Sequence, residues 1–248
     1  MKTEINKINI LVIIPCFNEQ ASIYAILNEI ESLSISGTNI VALPVNDCSK
    51  DKTLSEIKKV TNTYLDLPIN LGIGGAVQSG YKYAQKYNYD IAIQLDGDGQ
   101  HPVNEIEKLI IPIINTESDI VIGSRFINKQ GFQSSSLRRF GINYFKKLNQ
   151  LLLGIKITDS TSGFRAINKK AIDLVCNYYP DEYPEPEAIV LFKLNNLKIS
   201  EIPVTMSERK GGQSSISSYK TIYYMIKVSL GIIFIYLRIK FYGKRNTL

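Results

Sequence analysis

The sequence predicts an α/β protein: a mostly parallel sheet flanked by helices, with an amphipathic helix at its C-terminal end. Three observations predict it. Aliphatic runs of strand length at 8–14, 40–45, 91–95 and 119–123 are each followed by a stretch whose apolar residues recur at helical spacing. Strand-then-helix units in series build a parallel sheet through right-handed crossovers. Each of those runs also stops at a polar cluster: Asn18 and Glu19, Asp47, Asp96 and Asp98, and Arg125. In such a sheet the C-terminal strand ends line the ligand crevice.

Taken in order, residues 8–14 are nearly all aliphatic, the mark of a strand buried on both faces. Asn18 reads as the N-cap of a helix reaching about residue 33, with Ile23, Ile26, Leu27 and Ile30 on one face. The strand at 40–45 ends at Asn46 and Asp47, and Ser49 or Asp51 caps a helix that closes near residue 60. A short strand near 67–69 leads into Asn70-Leu71-Gly72-Ile73-Gly74-Gly75, whose glycines allow tight turning before a helix carrying Val77, Tyr81 and Ala84. This cluster lacks the third glycine of a dinucleotide fingerprint and sits in the third unit rather than the first. After the strand at 91–95, Pro102 opens a helix over about 103–114, and the strand at 119–123 ends in Ser124, Arg125 and Phe126. Residues 129–136 read as a loop, 137–153 as a basic helix with Arg138 and Arg139, and 169–177 as a helix. Residues 180–186 read as a proline- and acid-rich break, 199–206 as a strand, and 207–218 as a second loop with Arg209 and Lys210.

The 248 residues can bury a substantial core, with one domain expected over 1–218 and a distinct helix over 219–248. A net charge of +6, from 29 basic and 23 acidic side chains, suits anionic partners such as nucleotide phosphates and acidic lipid headgroups. No motif or interleaved aromatic stripe points to nucleic acid. Cys16, Cys48 and Cys176 are odd in number and widely spaced, so they read as reduced thiols rather than disulfides or a zinc site. His101 is the one histidine, which leaves Ser-His-Asp or zinc-hydrolase chemistry without material. No apolar run reaches the roughly 20 residues that span a bilayer, and residues 1–9 lack a signal-peptide core. A cytoplasmic protein is expected.

Two stretches carry chemistry of their own. Asp96-Gly97-Asp98 would bring two hard oxygen ligands to a strand end, which suits Mg²⁺ or Mn²⁺ held against a phosphate; the alternative is a plain strand-to-turn corner. In the last helix, Lys220 and Arg238 are 18 residues apart, five whole turns, and Lys227 falls about 20° from their line. A basic stripe on an otherwise apolar helix suits an anionic membrane interface, the alternative being a helix docked on the domain or on a partner subunit.

In order and spacing these clusters resemble the family 2 inverting glycosyltransferases with a GT-A nucleotide-diphospho-sugar domain. The resemblance runs from Ile14-Pro15-Cys16-Phe17-Asn18-Glu19 to the V-D-D-G-S-x-D-x-T pattern at 45–53, where Asn46 and Cys48 replace the first Asp and the Gly. It continues through Asn70-Leu71-Gly72 and Gly75-Ala76, the D-x-D-x-Q-H-P run at 96–102, and Gly123-Ser124-Arg125. The D-x-T-S-G-F-R element at 159–165, and Glu201-Ile202-Pro203-Val204 with Arg209 and Ser214-Ser215, are similar to polyprenyl-phosphate sugar synthases of the dolichyl-phosphate mannose type.

The resemblance implies a UDP- or GDP-sugar donor held by Pro15, Asn18, Glu19, Asp47, Gly72, Asp96 and Arg125. It implies Mg²⁺ or Mn²⁺ held by Asp98 with Gln100 and Asp96 nearby, and catalysis by Asp96, Asp98, Asp159 and Arg125, the last pairing with a phosphate. Asp159 is open between a base and a group that positions the acceptor or the metal shell. Arg138, Arg139, Ser162, Arg165 and Arg209 are expected to receive a polyprenyl phosphate, which is already ionised and needs no base. His101 is expected as a structural hydrogen-bonder. The protein is thus expected to work at the inner face of the cell membrane, with a small membrane-protein partner or a second copy as further candidates. The alternatives are transfer to a sugar hydroxyl in wall or capsule assembly and a non-catalytic nucleotide-sugar binder.

Overall fold

The computed structural model describes residues 7–128, 136–207 and 218–242. The loops expected at 129–136 and 207–218, with Arg209, Lys210, Ser214 and Ser215, lie largely outside the described residues, as do the polar residues 1–6.

The described strands form one sheet in the order β3 (Leu65–Asp66), β2 (Thr38–Asn46), β1 (Ile8–Cys16), β4 (Ile91–Gln94), β6 (Arg165–Asn168), β5 (Ile120–Ser124) and β7 (Ile199–Pro203). All are parallel except β6, which runs antiparallel between β4 and β5. The interior strand β1 is wholly buried from Ile10 to Ile14, and each such side chain contributes about 2 kcal/mol by leaving water. One apolar cluster joins α3 (Gly72–Lys86), α6 (Lys169–Asn177) and α7 (Pro184–Leu194) to the sheet, and a second joins α1 (Ile23–Ser32) and α4 (Ile106–Ile114) to its other face. The parallel sheet flanked by helices is therefore as expected.

Three local readings are corrected. Helix α1 starts at Ile23 behind Ser22, not at Asn18, which adopts φ +60° and belongs to the turn. The supposed break at 180–186 instead opens helix α7, because Pro184 at its first turn already has helical φ and needs no N–H donor there. Strand β6, which the sequence reading passed over, reverses direction and so brings its N-terminal end, with the loop before it, to the same rim as the ends of β1, β2, β4 and β5.

One glycine shows why α3 sits where it does. A Cβ on Gly74 would lie 2.1 Å from the carbonyl oxygens of Pro180 and Asp181, and the Gly74 N–H donates to Asp181 O at 2.8 Å. The glycine-rich turn thus packs backbone on backbone.

Candidate active site

The Asp96–Asp98 turn is built by its neighbours. Ser22 Oγ donates to Gly97 O at 2.5 Å, tying the turn to the start of α1. The Asp96 N–H donates to His101 Nδ1 at 2.9 Å, and His101 stacks on Phe164 with ring centres 5.0 Å apart. His101 is therefore a buried brace, accepting at Nδ1. Asp98 is 3% exposed, and its Oδ1 accepts the Gln100 N–H at 2.9 Å. The Asp96 side chain is 34% exposed, with Oδ2 3.7 Å from His101 Nε2 and Oδ1 3.4 Å from Gln94 Nε2.

These residues fit a divalent cation. Two carboxylates at one strand end are a hard-oxygen set of the kind that Mg²⁺ or Mn²⁺ completes with substrate phosphates and water. Among the described residues there is no cluster of three or more His, Cys, Asp or Glu side chains that would cage a metal alone. Gln100 supplies its backbone N–H to Asp98.

Arg125 does not reach outward for a phosphate. It follows β5 and turns onto Asp159: Nε donates to Oδ2 at 2.7 Å and NH2 to Oδ1 at 2.8 Å, with side-chain exposures of 5% and 0%. Its N–H also donates to Asp159 Oδ2 at 3.2 Å, and NH2 reaches Thr161 Oγ1 at 3.1 Å. Burial works against the guanidinium charge, but Asp159 more than offsets it and raises the Arg125 pKa. Both Asp159 carboxylate oxygens are thus engaged by Arg125. Glu201 on β7 clamps the same loop, accepting from the N–H groups of Thr158 and Asp159 at 2.7 and 2.8 Å. Ser160 and Ser162, in that loop, are buried, and their hydroxyls have no hydrogen-bond partner.

Arg165 is also corrected. It is fully buried at the start of β6, with Nε and NH2 donating to Ser162 O and NH1 to Glu185 O, so it props the loop from below. Arg138 and Arg139 lie in the first turns of α5 (Ser136–Leu153), and Arg139 is exposed.

Across the rim, Asp47 is likewise engaged. Its carboxylate accepts the N–H groups of Leu71 at 2.7 Å and Gly72 at 3.0 Å, and its carbonyl accepts Asn70 Nδ2 at 3.0 Å. It therefore holds the start of α3, where orphan N–H groups and the helix dipole favour an anion. Burial raises its pKa against the pull of those two N–H groups. Asn18 Oδ1 accepts the Lys50 N–H at 2.8 Å and the Glu19 N–H donates to Thr53 Oγ1 at 2.8 Å, so the turns after β1 and β2 are laced together beside Pro15. Asn46, standing where the resemblance has Asp, donates to Asp66 Oδ1 at 2.7 Å.

Sequence reasoning missed Glu185 as a site residue. On the first turn of α7, its Oε1 lies 3.3 Å from Gln94 Nε2, beside Asp96. Burial pushes its carboxyl pKa up, Asp96 adds to that, and Arg165 opposes both. The one available signal was an acid inside a proline-rich run.

The C-terminal helix α8 (Ser218–Tyr242) packs on α7 and α5 through Val228, Ile232, Ile235 and Ile239. Two members of the predicted basic stripe meet the segment between α6 and α7: Lys227 pairs with Glu182 at 2.5 Å and Arg238 lies 5.5 Å over the Tyr178 ring. An apolar row on the same helix is also exposed, with Tyr223, Ile226, Leu230, Phe234, Leu237 and Phe241. Tyr224 packs edge-on against Phe145 and Tyr183. Among the described residues no helix is long and apolar enough to cross a membrane.

Residues 11–175, the part of the chain that builds most of this rim, match the sequence family described as Glycosyl transferase family 2. The chain belongs to that family. A UDP-N-acetylglucosamine–dolichyl-phosphate N-acetylglucosaminyltransferase of Methanococcus voltae is 31% identical to it, covering 90% of this chain and 96% of that one. A polyprenol monophosphomannose synthase of Mycolicibacterium smegmatis is 25% identical, over 88% of this chain and 85% of that one. In three dimensions the chain is similar to glucosyl-3-phosphoglycerate synthase from Mycobacterium tuberculosis, crystallised with Mn²⁺, UDP-glucose and phosphoglyceric acid. That likeness has a TM-score of 0.68 at 16% identity, over 93% of this chain and 79% of that one, and supports the GT-A-like fold.

Proposed function

We propose that this family 2 glycosyltransferase moves a sugar from a UDP- or GDP-sugar to a polyprenyl phosphate, with inversion, at an anionic membrane surface on the inner face of the cell membrane. The observation that carries the reading is the rim itself. The Asp96–Asp98 turn and the Asp159–Arg165 loop meet there at Gly163, where a Cβ would lie 2.9 Å from Asp96 Oδ1. Relatives named for transfer to dolichyl phosphate and for polyprenol monophosphomannose synthesis support the acceptor class.

Asp98 and Asp96 would hold Mg²⁺ or Mn²⁺ with the donor diphosphate, Gln100 fixing Asp98 from its backbone. When bound, the cation neutralises charge on the departing diphosphate. The turns around Pro15, Asn18 and Glu19 form the wall for the nucleoside, and Asp47 keeps that wall in register with α3 at Gly72. One acceptor phosphate oxygen forms the new bond to the anomeric carbon as the bond to the diphosphate breaks. That oxygen is already ionised, so no residue has to remove a proton. Asp159 and Arg125 act as one rigid unit that shapes the acceptor side and presents Ser160 and Ser162. Arg138, Arg139 and Arg209 supply the cationic approach for the lipid phosphate. The outward apolar row of α8 rests in the lipid interface.

The test offers the full chain labelled UDP- and GDP-sugars with Mn²⁺, polyprenyl phosphate in vesicles, and free sugar acceptors in parallel. The label is expected in an organic-extractable product that mild acid releases. Label transferred only to the free sugars would overturn the acceptor assignment.

A further inference from the structure

We infer that Glu185 is a positioning residue of the donor site, which through the Gln94 amide sets the orientation of Asp96. The inference rests on the metal-assisted transfer proposed above. Gln94 is the last residue of β4, fully buried and two residues before Asp96. Its Nε2 lies between two carboxylates, 3.4 Å from Asp96 Oδ1 and 3.3 Å from Glu185 Oε1. Its Oε1 faces the Tyr179 hydroxyl at 3.5 Å. An amide has one NH₂ and one carbonyl, and only this orientation serves two carboxylates on one side and an O–H donor on the other.

The remaining sides are closed. A Cβ on Gly163 would lie 2.8 Å from Gln94 Nε2, so the loop backbone covers the amide. Arg165 NH1 donates to Glu185 O at 3.2 Å, and Arg165 pairs in register with Gln94 across β4 and β6. The first turn of α7 is thereby locked to the strand that carries Asp96. Removing the Glu185 carboxylate leaves the amide one acceptor short and Asp96 without its brace. Groups that orient a ligating carboxylate in this way typically matter almost as much as the ligand.

The test measures Mn²⁺ binding to the full chain by electron paramagnetic resonance, with UDP and separately with GDP, beside transfer kinetics and melting temperature. Glu185→Ala and Gln94→Met are expected to weaken Mn²⁺ binding by about 10- to 100-fold, while Glu185→Gln, which keeps the acceptor oxygen, stays within about threefold of the unaltered chain. The double variant Gln94→Met with Glu185→Ala is expected to be no worse than Gln94→Met alone. If Glu185→Ala fails to fold, Gln94→Met tests the same link from its other end. Unchanged Mn²⁺ binding in a folded variant, or additive losses, would overturn the inference. Glu185→Gln as impaired as Glu185→Ala would also overturn it and make Glu185 a proton acceptor for a hydroxyl substrate. No Mn²⁺ binding by the unaltered chain with either nucleotide would defeat the donor-site reading itself.

Discussion

Arg125 and Asp159 form a two-pronged pair in the interior of the rim, at 2.7 and 2.8 Å, although 34 residues separate them in sequence. Both side chains are buried, so each is the other's replacement for water. Breaking such a pair leaves an uncompensated buried charge, whereas removing both groups together leaves none. Arg125→Ala and Asp159→Ala are each expected to lower unfolding stability by about 3–5 kcal/mol, and Arg125→Met with Asp159→Leu by far less than the sum. Denaturant unfolding of the three variants checks this, and additive losses would mean that the pair contributes no coupling.

Asp47 is expected to act on α3 before it acts on any ligand. Its carboxylate takes the first two N–H groups at that helix start, so Asp47→Ala should cost about 1–2 kcal/mol, the range for a lost helix cap. Chemical denaturation of the chain without donor reads this directly. A loss seen only in donor affinity, with stability unchanged, would return Asp47 to direct nucleoside binding.

Glu187 gives the seam between α7 and α8 a pH dependence. A Cβ on Gly231 would lie 2.6 Å from its carboxyl carbon, so the carboxyl group presses on the α8 backbone. Burial raises its pKa to about 7, with Lys227 opposing and Asp181, Glu182 and Glu185 reinforcing the shift. A carboxyl whose folded pKa is raised stabilises the docked helix fully at pH below its ordinary value. That contribution is lost as pH climbs through about 7. Melting temperatures between pH 5 and pH 8 should therefore fall more steeply for the unaltered chain than for Glu187→Gln. Parallel slopes would contradict the assignment.

The strands of this fold are legible because a strand buried on both faces has to be apolar throughout, as residues 10–14 are. Strand β6 escapes that logic: it is four residues long, starts with a buried arginine, and runs against its neighbours. Helix α7 was hidden by prolines whose helix-starting geometry reads as a break until the following turn is seen. At the site, residue types were readable but partnerships were not. Arg125, Arg165 and Asp47 all carry charges that suit phosphate or nucleoside chemistry. Each is spent instead on protein groups brought close by the sheet, through side-chain geometry that sequence spacing does not encode. In the basic stripe of α8, likewise, Lys227 and Arg238 have partners, Glu182 and the Tyr178 ring, that periodicity does not reveal.

The central claim is that the Asp96–Asp98 turn assembles the metal-dependent transfer of a sugar to a lipid phosphate. Its most direct measurement is sugar transfer by the full chain in anionic vesicles carrying polyprenyl phosphate, with and without chelator, compared with a folded Asp98→Asn variant. Loss of metal assistance is worth several kcal/mol, so chelation and Asp98→Asn should each cut lipid-linked product by about a hundredfold or more. Undiminished product in Asp98→Asn, or product that survives chelation, would contradict the account.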